Sequence, residues 1–377
     1  MARNSSRSVA ILGTRGYPSY YGGFETAVRR IAPYLADRGW DVTVYARPDG
    51  VVMDDPLRDP RVRTVLTRGL ESRSLSTLTY GFTSALSTAR RRPDVALVMN
   101  VANGFWLPLL RTMRIPSVVN VDGIEWERDK WSPLGRRVFR MGASMTATHA
   151  SRLVFDAEAI AAHWRDNFGA DGDFIPYGGD EREQLPIEPG LQHREYALMV
   201  ARFVPENTVA EFLEAAVTLS ENHDVVIVGS SGYGGEFDDK AAAIARDHDR
   251  IHWLGHLRDD DRLHSLWQHA GAYFHGHSVG GTNPALVQAM ALGAPIVARE
   301  TVYNSEVLGT DGGVLVHPTP DEIVRGVEKV ITSPAIQEEL SIAAKTRFKT
   351  HYTWDGVCAA YEDSLTAAID ATRPKQR

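Results

Sequence analysis

Short apolar runs alternate along the chain with longer stretches whose apolar positions follow a helical period. Residues 8–13 (SVAILG) are typical of a buried strand, residues 24–39 (FETAVRRIAPYLADRG) predict an amphipathic helix that ends at Gly39, and residues 41–47 (DVTVYAR) predict the next strand. Strands that alternate with helices in this way indicate a parallel sheet. Further strands of the first half are predicted at 94–100, 116–121, 151–157 and 172–178.

The second half repeats the alternation after a polar break. Residues 178–195 (GGDEREQLPIEPGLQHRE) contain Pro and Glu without any period, which indicates a linker. Beyond it the strand patterns YALMVAR, DVVIVGS, IHWLGH, AGAYFHG and APIVARE alternate with helices at 206–219, around Lys240 and from Asp259. The chain is therefore predicted to form two parallel α/β domains, whose ligands should bind at the carboxyl ends of the strands.

A glycine-rich stretch at residues 275–298, HGHSVGGTNPALVQAMALGAPIVA, lies between a predicted strand and a predicted helix. Asn283 is a suitable N-cap, Pro284 fits the first helical position, and Gly293 fits the residue just past the end. Free N–H groups at such a helix start attract anions, and the Gly280–Gly281 pair lets a ligand approach the backbone. An ordinary capped turn is the alternative interpretation.

A second glycine-rich loop, GTRGYPSYYGGFETAVRR, follows the first predicted strand and opens the first helix. This context suits phosphate binding. However, Arg15 stands where the motif G-x-G-x-x-G needs its second glycine, and no G-K-[ST] follows, which argues against a nicotinamide dehydrogenase and a P-loop NTPase. What remains is a flexible turn at Gly22 and Gly23 with Glu25 in the first helical turn; the alternative is a loop that needs glycine only for its bends.

Composition and charge narrow the classes further. The 377 residues are 43% hydrophobic and 24% charged, as in globular proteins, and the net charge of −7 argues against a nucleic-acid-binding protein. The single cysteine, Cys358, excludes an internal disulfide framework and fits a reducing cytoplasm. No apolar run has the length of a transmembrane helix or of a signal peptide, so we expect a cytoplasmic protein.

Several motifs taken together resemble a known enzyme family. The second half resembles the family-4 retaining glycosyltransferases of the GT-B fold in LMVARFVPEN, VIVG, IHWLGHL, the glycine-rich stretch through APIVA, and NSEVLG. The first half is similar to a bacterial subgroup that contains rhamnosyltransferases of surface-polysaccharide assembly, in VAILGTRGYPSYYGGFETAVRRIAPYLADRGWDVTVYAR and VVNVDGIEWERDKW. The resemblance covers nearly the whole chain.

The resemblance implies two Rossmann-like parallel-sheet domains that face a cleft. Residues 1–185 would form an acceptor-binding domain, residues 186–352 a nucleotide-sugar-binding domain, and residues 353–377 a C-terminal helix that crosses back to the first domain. The implied activity is transfer of a sugar, with dTDP-rhamnose as the expected donor, to a saccharide or lipid-linked saccharide with retention of configuration. The nucleotide sugar is a substrate, and no cofactor is expected.

For the donor, the resemblance implies that Arg202 holds the diphosphate, while Asn207 occupies a position where the family has lysine. The two glutamates of the family fall on Gly280 and Gln288. Backbone N–H groups would therefore serve near the donor sugar, and the Gln288 amide would contact the ribose. The expected donor-binding residues are Gly22, Gly23, Arg202, Asn207, His277, Gly280, Gly281, Thr282, Asn283 and Gln288.

In the first domain a histidine common in the family falls on Asp122. The departing phosphate oxygen can itself take the acceptor proton, and Asp122 is the best-placed carboxylate if a base is used; a turn residue before Gly123 is the alternative. Arg202, Asp122 and Gln288 are the expected catalytic residues. The expected acceptor-binding residues are Tyr21, Phe24, Asp122, Glu125 and Trp126.

No metal is expected at this site. The transfer expels a diphosphate from an oxocarbenium-like state, and a helix N-terminus with one guanidinium can stabilise that charge. The aspartates at 54–55 and 259–261 fit turns or helix starts better than a metal site. A histidine pair, His275 and His277, lacks an evident third ligand, so packing or a hydrogen bond near the donor is favoured.

Two other functions and one surface stay open. A sugar-nucleotide epimerase of the same fold would leave the aromatic segment at 126–131 without a purpose, and a non-catalytic nucleotide-sugar-binding protein would fit the uncharged Gln288. Residues 128–140 (RDKWSPLGRRVFR) mix arginines with Trp131 and Phe139. This mixture suits peripheral contact with the anionic inner membrane, and a solvated helix face is the alternative.

Overall fold

The alternating pattern folds into two separate parallel sheets. The computed structural model of the chain describes residues 7–20, 22–70, 76–128, 131–232 and 234–372. The chain divides into unit 1, which comprises Met1–Tyr177 and Trp354–Arg377, and unit 2, which comprises Gly178–Thr353. The predicted fold class, two parallel α/β sheets, is confirmed. No helix within the described ranges is long and apolar enough to cross a membrane.

Unit 1 is built on a seven-stranded sheet whose strand pairs are parallel. Its strand order is β3-β2-β1-β4-β5-β6-β7, with β1 (Ser8–Leu12), β2 (Asp41–Ala46), β3 (Arg63–Leu66), β4 (Val95–Met99), β5 (Ser117–Asn120), β6 (Arg152–Phe155) and β7 (Asp173–Phe174). Its first helices are α1 (Gly23–Asp37), α2 (Ser76–Arg91), α3 (Leu107–Thr112), α4 (Pro133–His149) and α5 (Glu158–Phe168). Strands β1, β2, β4, β5 and β6 are mostly buried because helices cover both faces of such a sheet, whereas the edge strands β3 and β7 are partly exposed.

Unit 2 repeats this plan on a six-stranded parallel sheet. Its strand order is β10-β9-β8-β11-β12-β13, with β8 (Tyr196–Val200), β9 (Asp224–Val228), β10 (Ile251–Gly255), β11 (Ala272–His275), β12 (Ile296–Arg299) and β13 (Val314–Val316). Its helices are α6 (Val209–Leu219), α7 (Glu236–Asp247), α8 (Asp260–His269), α9 (Pro284–Leu292), α10 (Val302–Leu308), α11 (Pro320–Ile331) and α12 (Pro334–His351).

The last helix, α13 (Trp354–Thr372), belongs to unit 1. Its apolar side chains, among them Leu365 and Ile369, are buried in the same core as Ile11 of β1. The Tyr361 hydroxyl accepts a hydrogen bond of 2.6 Å from Asn120 Nδ2 at the end of β5. The C-terminal helix therefore completes the core of unit 1.

Residues 178–185, which the sequence analysis assigned to the first domain, lie in unit 2. The predicted linker continues as an extended strap along α8, and we call residues 183–194 the α8 strap. Gln268 accepts from the Leu185 N–H (2.8 Å), and Arg262 donates to the Glu188 carboxylate from Nη2 (2.6 Å) and from Nε, which lies 3.0 Å from both oxygens. Hydrogen bonds from side chains of a neighbouring helix leave no period in the sequence of the strap, which explains why that sequence indicated a linker.

One predicted helix starts later than its sequence indicates. The stretch from Glu206 begins as a single 3-10 turn at Pro205–Asn207, and α6 follows only at Val209. Thr208 between them has a left-handed backbone (φ 57°), which breaks the α-helical path.

The strand order reverses its direction at one place in each sheet. In unit 1 this place lies between β1 and β4, and in unit 2 between β8 and β11. The loops that leave two such strands run to opposite sides of the sheet and open a crevice at its carboxyl edge, where ligands of this fold class bind. The two glycine-rich loops found in the sequence follow β1 and β11, so both lie at such switch points.

Candidate active site

The glycine-rich loop of unit 2 ends in the helix start that its sequence predicted. Asn283 caps α9, because its Oδ1 accepts a hydrogen bond of 2.9 Å from the Ala285 N–H, and Pro284 is the first helical residue. Gly293 follows the last residue of α9 with a left-handed backbone (φ 72°). These three predictions are confirmed. The N-terminus of α9 therefore lies directly after the loop at the switch point.

Two loops are joined to each other across the switch point of unit 2. Asn207, in the loop after β8, donates from Nδ2 to the Arg202 carbonyl (2.8 Å), and its Oδ1 is hydrogen-bonded to Nδ1 of His277, in the loop after β11. The N–H and hydroxyl of Ser278 both donate to the Glu206 carbonyl (3.0 and 2.7 Å). Five residues from the two loops are thus held in one assembly, and Arg202, Asn207 and His277 among them are predicted donor-binding residues.

The end of β12 and the first turn of α10 support the same assembly. The Thr208 hydroxyl donates to the Gly276 carbonyl (2.6 Å) and accepts from Arg299 Nη1 (3.1 Å). Asn304 Nδ2 donates to the carbonyls of His277 (2.9 Å) and Arg299 (2.8 Å). Sequence patterns did not point to Arg299 or Asn304, although Arg299 ends a predicted strand and so lies at the carboxyl edge of the sheet.

Gly280 leaves the loop open at its centre. Its backbone is left-handed (φ 89°), and a Cβ built there would meet only His277 Nε2, at 3.9 Å. A side chain at this position would be strained by the backbone rather than by lack of space. Arg202 is exposed at the start of the neighbouring loop, and Thr282 is buried. The structure therefore brings Asn207, His277 and the Gly280 backbone together.

The two histidines of this loop differ in their surroundings. His275 is 3% exposed, and its Nδ1 lies 3.0 Å from the Tyr273 hydroxyl. Burial, and then the nearby His277, lower the pKa of His275 to about 3, so this imidazole stays neutral. No group of three His, Cys, Asp or Glu side chains suited to a metal occurs in the parts of the chain that the structure describes. That the reaction needs no metal stays a prediction.

The aspartate clusters hold backbone turns. Asp259 is the N-cap of α8 and accepts hydrogen bonds from the N–H groups of Asp261 and Arg262 (both 3.1 Å). Asp55 accepts from the Leu57 N–H (2.8 Å). Both contacts agree with the predicted helix start and turn.

Gln288 is engaged within unit 2 by a reciprocal pair of hydrogen bonds. Its Oε1 accepts from the Asp180 N–H (3.0 Å), and its Nε2 donates to the Asp180 carbonyl (2.8 Å). The amide thereby fixes the chain just before the α8 strap to α9. Its predicted contact with a ribose stays a prediction, and that contact would require the amide to share or exchange these bonds.

In unit 1 the loop after β1 is tied to α1 by a buried carboxylate. Glu25 accepts hydrogen bonds from the Thr14 hydroxyl and the Arg15 N–H, both at 2.9 Å. Gly22 precedes the helix in an extended conformation, and a Cβ on Gly23 would lie 3.0 Å from the Tyr177 hydroxyl. Phe24 packs partly buried against the core of unit 1, and Tyr21 lies outside the described residues.

Asp122 lies at the carboxyl edge of the unit 1 sheet, beside the switch point. Its backbone is left-handed (φ 64°), its N–H donates to Asn120 Oδ1 (2.9 Å), and its Oδ2 accepts from Asn100 Nδ2 (3.3 Å). Burial raises the pKa of Tyr177 well above its usual range, and the carboxylates of Asp122 and Asp156 raise it further. Tyr177 thus stays protonated close to Asp122, and sequence patterns gave no sign of this tyrosine.

Glu125 and Trp126 are committed to the packing of unit 1. Glu125 is 3% exposed, and its carboxylate accepts from Arg128 Nη1 (2.6 Å) and Trp131 Nε1 (2.8 Å). The Trp126 ring packs edge-on against Trp164, with centroids 6.2 Å apart. These contacts hold the segment after Asp122 in place, and the predicted acceptor contacts of both residues stay predictions.

Two protein families match this chain. Residues 22–178 match the family described as Glycosyl transferase 4-like domain, and residues 181–347 match Glycosyl transferases group 1. By these two matches together, the chain is a group 1, GT4-like glycosyltransferase. Glycosyltransferase activity, the predicted enzyme class, is thereby confirmed at the level of EC 2.4.

Curated relatives of this glycosyltransferase agree in class. It is 27% identical over 397 aligned residues to MMP alpha-(1->4)-mannosyltransferase of Mycolicibacterium hassiacum, which covers 93% of this chain and 96% of the relative. It is also 27% identical, over 54% of this chain and 55% of the relative, to an uncharacterized glycosyltransferase of Methanocaldococcus jannaschii. The activity named for the first relative is mannosyl rather than rhamnosyl transfer.

Solved structures confirm the GT-B fold of this glycosyltransferase. Sucrose-phosphate synthase from Thermosynechococcus elongatus superposes with a TM-score of 0.82 at 16% identity, covering 97% of this chain and 100% of that chain. Anabaena HepE in complex with UDP-glucose gives a TM-score of 0.73 at 14% identity and covers 96% of this chain and 99% of that chain. At such identities the likeness concerns the fold alone.

Proposed function

We propose that this glycosyltransferase binds a nucleotide sugar at the switch point of unit 2 and transfers the sugar, with retention of configuration, to a saccharide or lipid-linked saccharide. The observation that supports this most is that the loops after β8 and β11 are hydrogen-bonded to each other through Asn207 and His277. The second of these loops contains Gly280, whose Cβ position is open, and leads into the N-terminus of α9. Such a site offers backbone N–H groups to a diphosphate without a side chain in the way.

The charged groups fit the expulsion of a diphosphate. Arg202 would neutralise the leaving group, and the N-terminus of α9 would add its partial positive charge. Because the leaving oxygen can accept the acceptor proton, the mechanism needs no dedicated base. Asp122 would orient the acceptor hydroxyl in unit 1, where Asn100 and Asn120 fix its position.

We further propose that the donor is dTDP-rhamnose and that the pathway builds a cell-surface polysaccharide, because the first half is similar to a rhamnosyltransferase subgroup. Calorimetry with dTDP-rhamnose, UDP-glucose and GDP-mannose tests the donor, and NMR of the product tests the anomeric configuration. We expect tight binding of dTDP-rhamnose and a product that keeps the anomeric configuration of the donor. An epimerised donor would instead indicate an epimerase, and binding without turnover a binding protein.

Helix α4 supports a peripheral position at the cytoplasmic face of the inner membrane. Its sequence contains three arginines and no acidic residue, although the whole chain carries a net charge of −7. Leu134 and Met141 on this helix are 72% and 54% exposed. Apolar side chains beside arginines suit the surface of an anionic bilayer, where a lipid-linked acceptor would be found.

Vesicle co-sedimentation tests this surface. We expect binding to phosphatidylglycerol vesicles but not to phosphatidylcholine vesicles, and loss of binding in the double variant Leu134→Ser/Met141→Ser. Ile342→Ser, which changes a residue that is 56% exposed on α12, is the matched control and should bind as the wild type does. Equal binding of the double variant would refute the proposed membrane face.

A further inference from the structure

We propose that the Tyr177 hydroxyl donates a hydrogen bond to the acceptor saccharide at the start of α1, which makes Tyr177 a specificity-determining residue of unit 1. The inference rests on the proposed function, because it assumes that a saccharide binds to this unit. It adds a residue that sequence patterns did not show, and it states what that residue recognises: a sugar hydroxyl rather than a phosphate.

Tyr177 lies directly against the first residue of α1. Its Oη is the atom nearest to the Cβ that Gly23 lacks, at 3.0 Å, and two carbon atoms of its ring follow at 3.2 and 3.4 Å. Because a real Cβ seldom comes so close to other atoms, any side chain at Gly23 would displace the hydroxyl. The glycine thus leaves room for the hydroxyl at the end of the glycine-rich loop after β1.

The hydroxyl is fixed in place, but the protein itself does not use it. The Tyr177 side chain is 8% exposed and belongs to the core of unit 1. Within the described residues its hydroxyl forms no hydrogen bond, and it is not one of the polar atoms sealed from solvent without a partner, as the Tyr45 hydroxyl is. A buried tyrosine usually finds a hydrogen-bond partner for its hydroxyl. The open valence of Tyr177 therefore points to a ligand.

The start of α1 offers further hydrogen-bond donors beside this hydroxyl. Gly22, the N-cap residue, makes no side-chain capping bond to the helix. The first N–H groups of a helix have no partner within it. A phenol next to uncapped N–H groups suits an oxygen atom that accepts hydrogen bonds.

The charges around Tyr177 favour an uncharged oxygen. Its strongest electrostatic neighbours are Asp122 after β5, Asp156 after β6, Tyr361 on α13 and Glu25 on α1. Three of these four are carboxylates. Burial, and then these groups, raise the pKa of Tyr177 well above its usual range, so the phenol remains a donor. Carboxylates repel a diphosphate, whereas a sugar hydroxyl can accept from the phenol and donate to a carboxylate.

The arginines of the loop after β1 and of α1 are engaged elsewhere. Arg15 lies 3.9 Å from Asp49, Arg29 donates to a backbone carbonyl of the loop (2.5 Å), and Arg30 lies 5.9 Å from the ring centroid of the first residue of α13. None of them is among the strongest electrostatic neighbours of Tyr177. The surroundings of the phenol are therefore acidic.

Removal of the hydroxyl alone tests the inference on the full chain. The probes are the p-nitrophenyl glycosides of glucose, galactose, mannose, rhamnose and N-acetylglucosamine, with dTDP-rhamnose, UDP-glucose or GDP-mannose as donor. For Tyr177→Phe we expect the KM of the best glycoside to rise about three- to tenfold, as for the loss of one neutral hydrogen bond. Donor affinity by calorimetry and the midpoint of urea unfolding should match the wild type, because the hydroxyl has no partner in the described protein.

Two further variants separate a substrate contact from a structural one. Tyr45→Phe is the matched control: it removes a hydroxyl that is sealed in the same unit, and it should leave the KM unchanged. Gly23→Ala, whose methyl group would displace the Tyr177 hydroxyl, should raise the same KM. The double variant Gly23→Ala/Tyr177→Phe should raise it no further than Gly23→Ala does, because both changes remove one contact.

The outcomes distinguish the inference from the proposed function. An unchanged KM in Tyr177→Phe, a weaker donor affinity or a lower unfolding midpoint in place of a raised KM would overturn the inference and leave the proposed function standing. If a donor binds and is hydrolysed but none of the five glycosides accepts its sugar, the inference is overturned and only donor binding stands. If none of the three donors binds, the proposed function fails and the inference with it.

Discussion

The two switch points hold their loops in chemically different ways. In unit 1 buried carboxylates act as anchors: Glu25 ties the loop after β1, and Glu125 ties the segment after Asp122. In unit 2 the loops are joined by hydrogen bonds from neutral side chains, chiefly those of Asn207 and Asn304. A carboxylate anchor satisfies several donors at once, but it places negative charge near the loop. Neutral anchors avoid repelling an anion, which suits a diphosphate.

Of the changes to the two switch points, removal of the Arg202 guanidinium from unit 2 should have the largest effect on activity. Arg202→Ala is expected to lower kcat/KM by about 30- to 1,000-fold, or ~2–4 kcal/mol, because it removes a charged partner of the leaving group. Steady-state kinetics with the preferred donor measures this loss. Arg246→Ala, on the exposed surface of α7, is the control. Near-normal turnover in a folded Arg202→Ala protein would show that the Arg202 guanidinium does not stabilise the leaving diphosphate.

Removing a carboxylate anchor from unit 1 should cost stability rather than acceptor binding. Glu125→Ala strands the hydrogen-bond donors of Arg128 and Trp131, and we expect a loss of about 1.5–3 kcal/mol in the free energy of unfolding. Urea unfolding followed by tryptophan fluorescence measures it, with the exposed Glu127→Ala as control. An unchanged stability together with a raised KM for the acceptor would mean that this carboxylate contacts substrate.

A carboxylate at position 288 of unit 2 should also lower the free energy of unfolding. In Gln288→Glu an oxygen replaces the amide nitrogen that donates to the Asp180 carbonyl, so we expect a loss of about 1–2 kcal/mol in unfolding free energy. If residue 288 contacts the ribose as expected, the same variant should instead keep or improve donor affinity through charge-assisted bonds. Urea unfolding and donor calorimetry on the same variant decide between them: full stability with tighter binding supports the ribose contact.

The neutrality of His275 predicts a pH dependence of stability. Its folded pKa of about 3 lies below the unfolded value of about 6.5, so the unfolded chain binds the extra proton first. The free energy of unfolding should therefore fall as the pH drops below about 6.5, by ~1.4 kcal/mol per pH unit from this residue. His275→Gln should flatten the profile measured by urea unfolding at several pH values. An equally steep profile in the variant would contradict this assignment.

The smallest expected effect concerns metals. Because Arg202 and backbone N–H groups are assigned to the diphosphate, activity should be unchanged after treatment with EDTA. The measurement is turnover before and after chelation, with magnesium and manganese added back. Full loss that is restored by either ion would give the aspartate clusters a functional role instead.

The sequence predicted those features that local chemistry determines. The strand periods and the cap, first residue and end of α9 are written in adjacent residues, so Asn283, Pro284 and Gly293 lie where they were expected. The partners of single polar side chains were not predictable. Gln288 meets Asp180 across 108 positions of the chain, and one long-range hydrogen bond leaves no periodic signal. Glu125 differs, because its partners Arg128 and Trp131 lie only three and six positions away, yet the residue types alone did not show which donors its carboxylate would meet.

The placement of α13 sets the order in which the two units can be completed. Unit 2 is one continuous stretch, so its core can close as soon as residue 353 has been made. Unit 1 begins first but lacks Tyr361, Leu365 and Ile369 of its core until the final helix leaves the ribosome. Unit 1, whose first residues are synthesised earliest, is therefore the second of the two units to complete its core. A truncation before Trp354 should damage the unit that contains the N-terminal strand and leave the adjacent one intact.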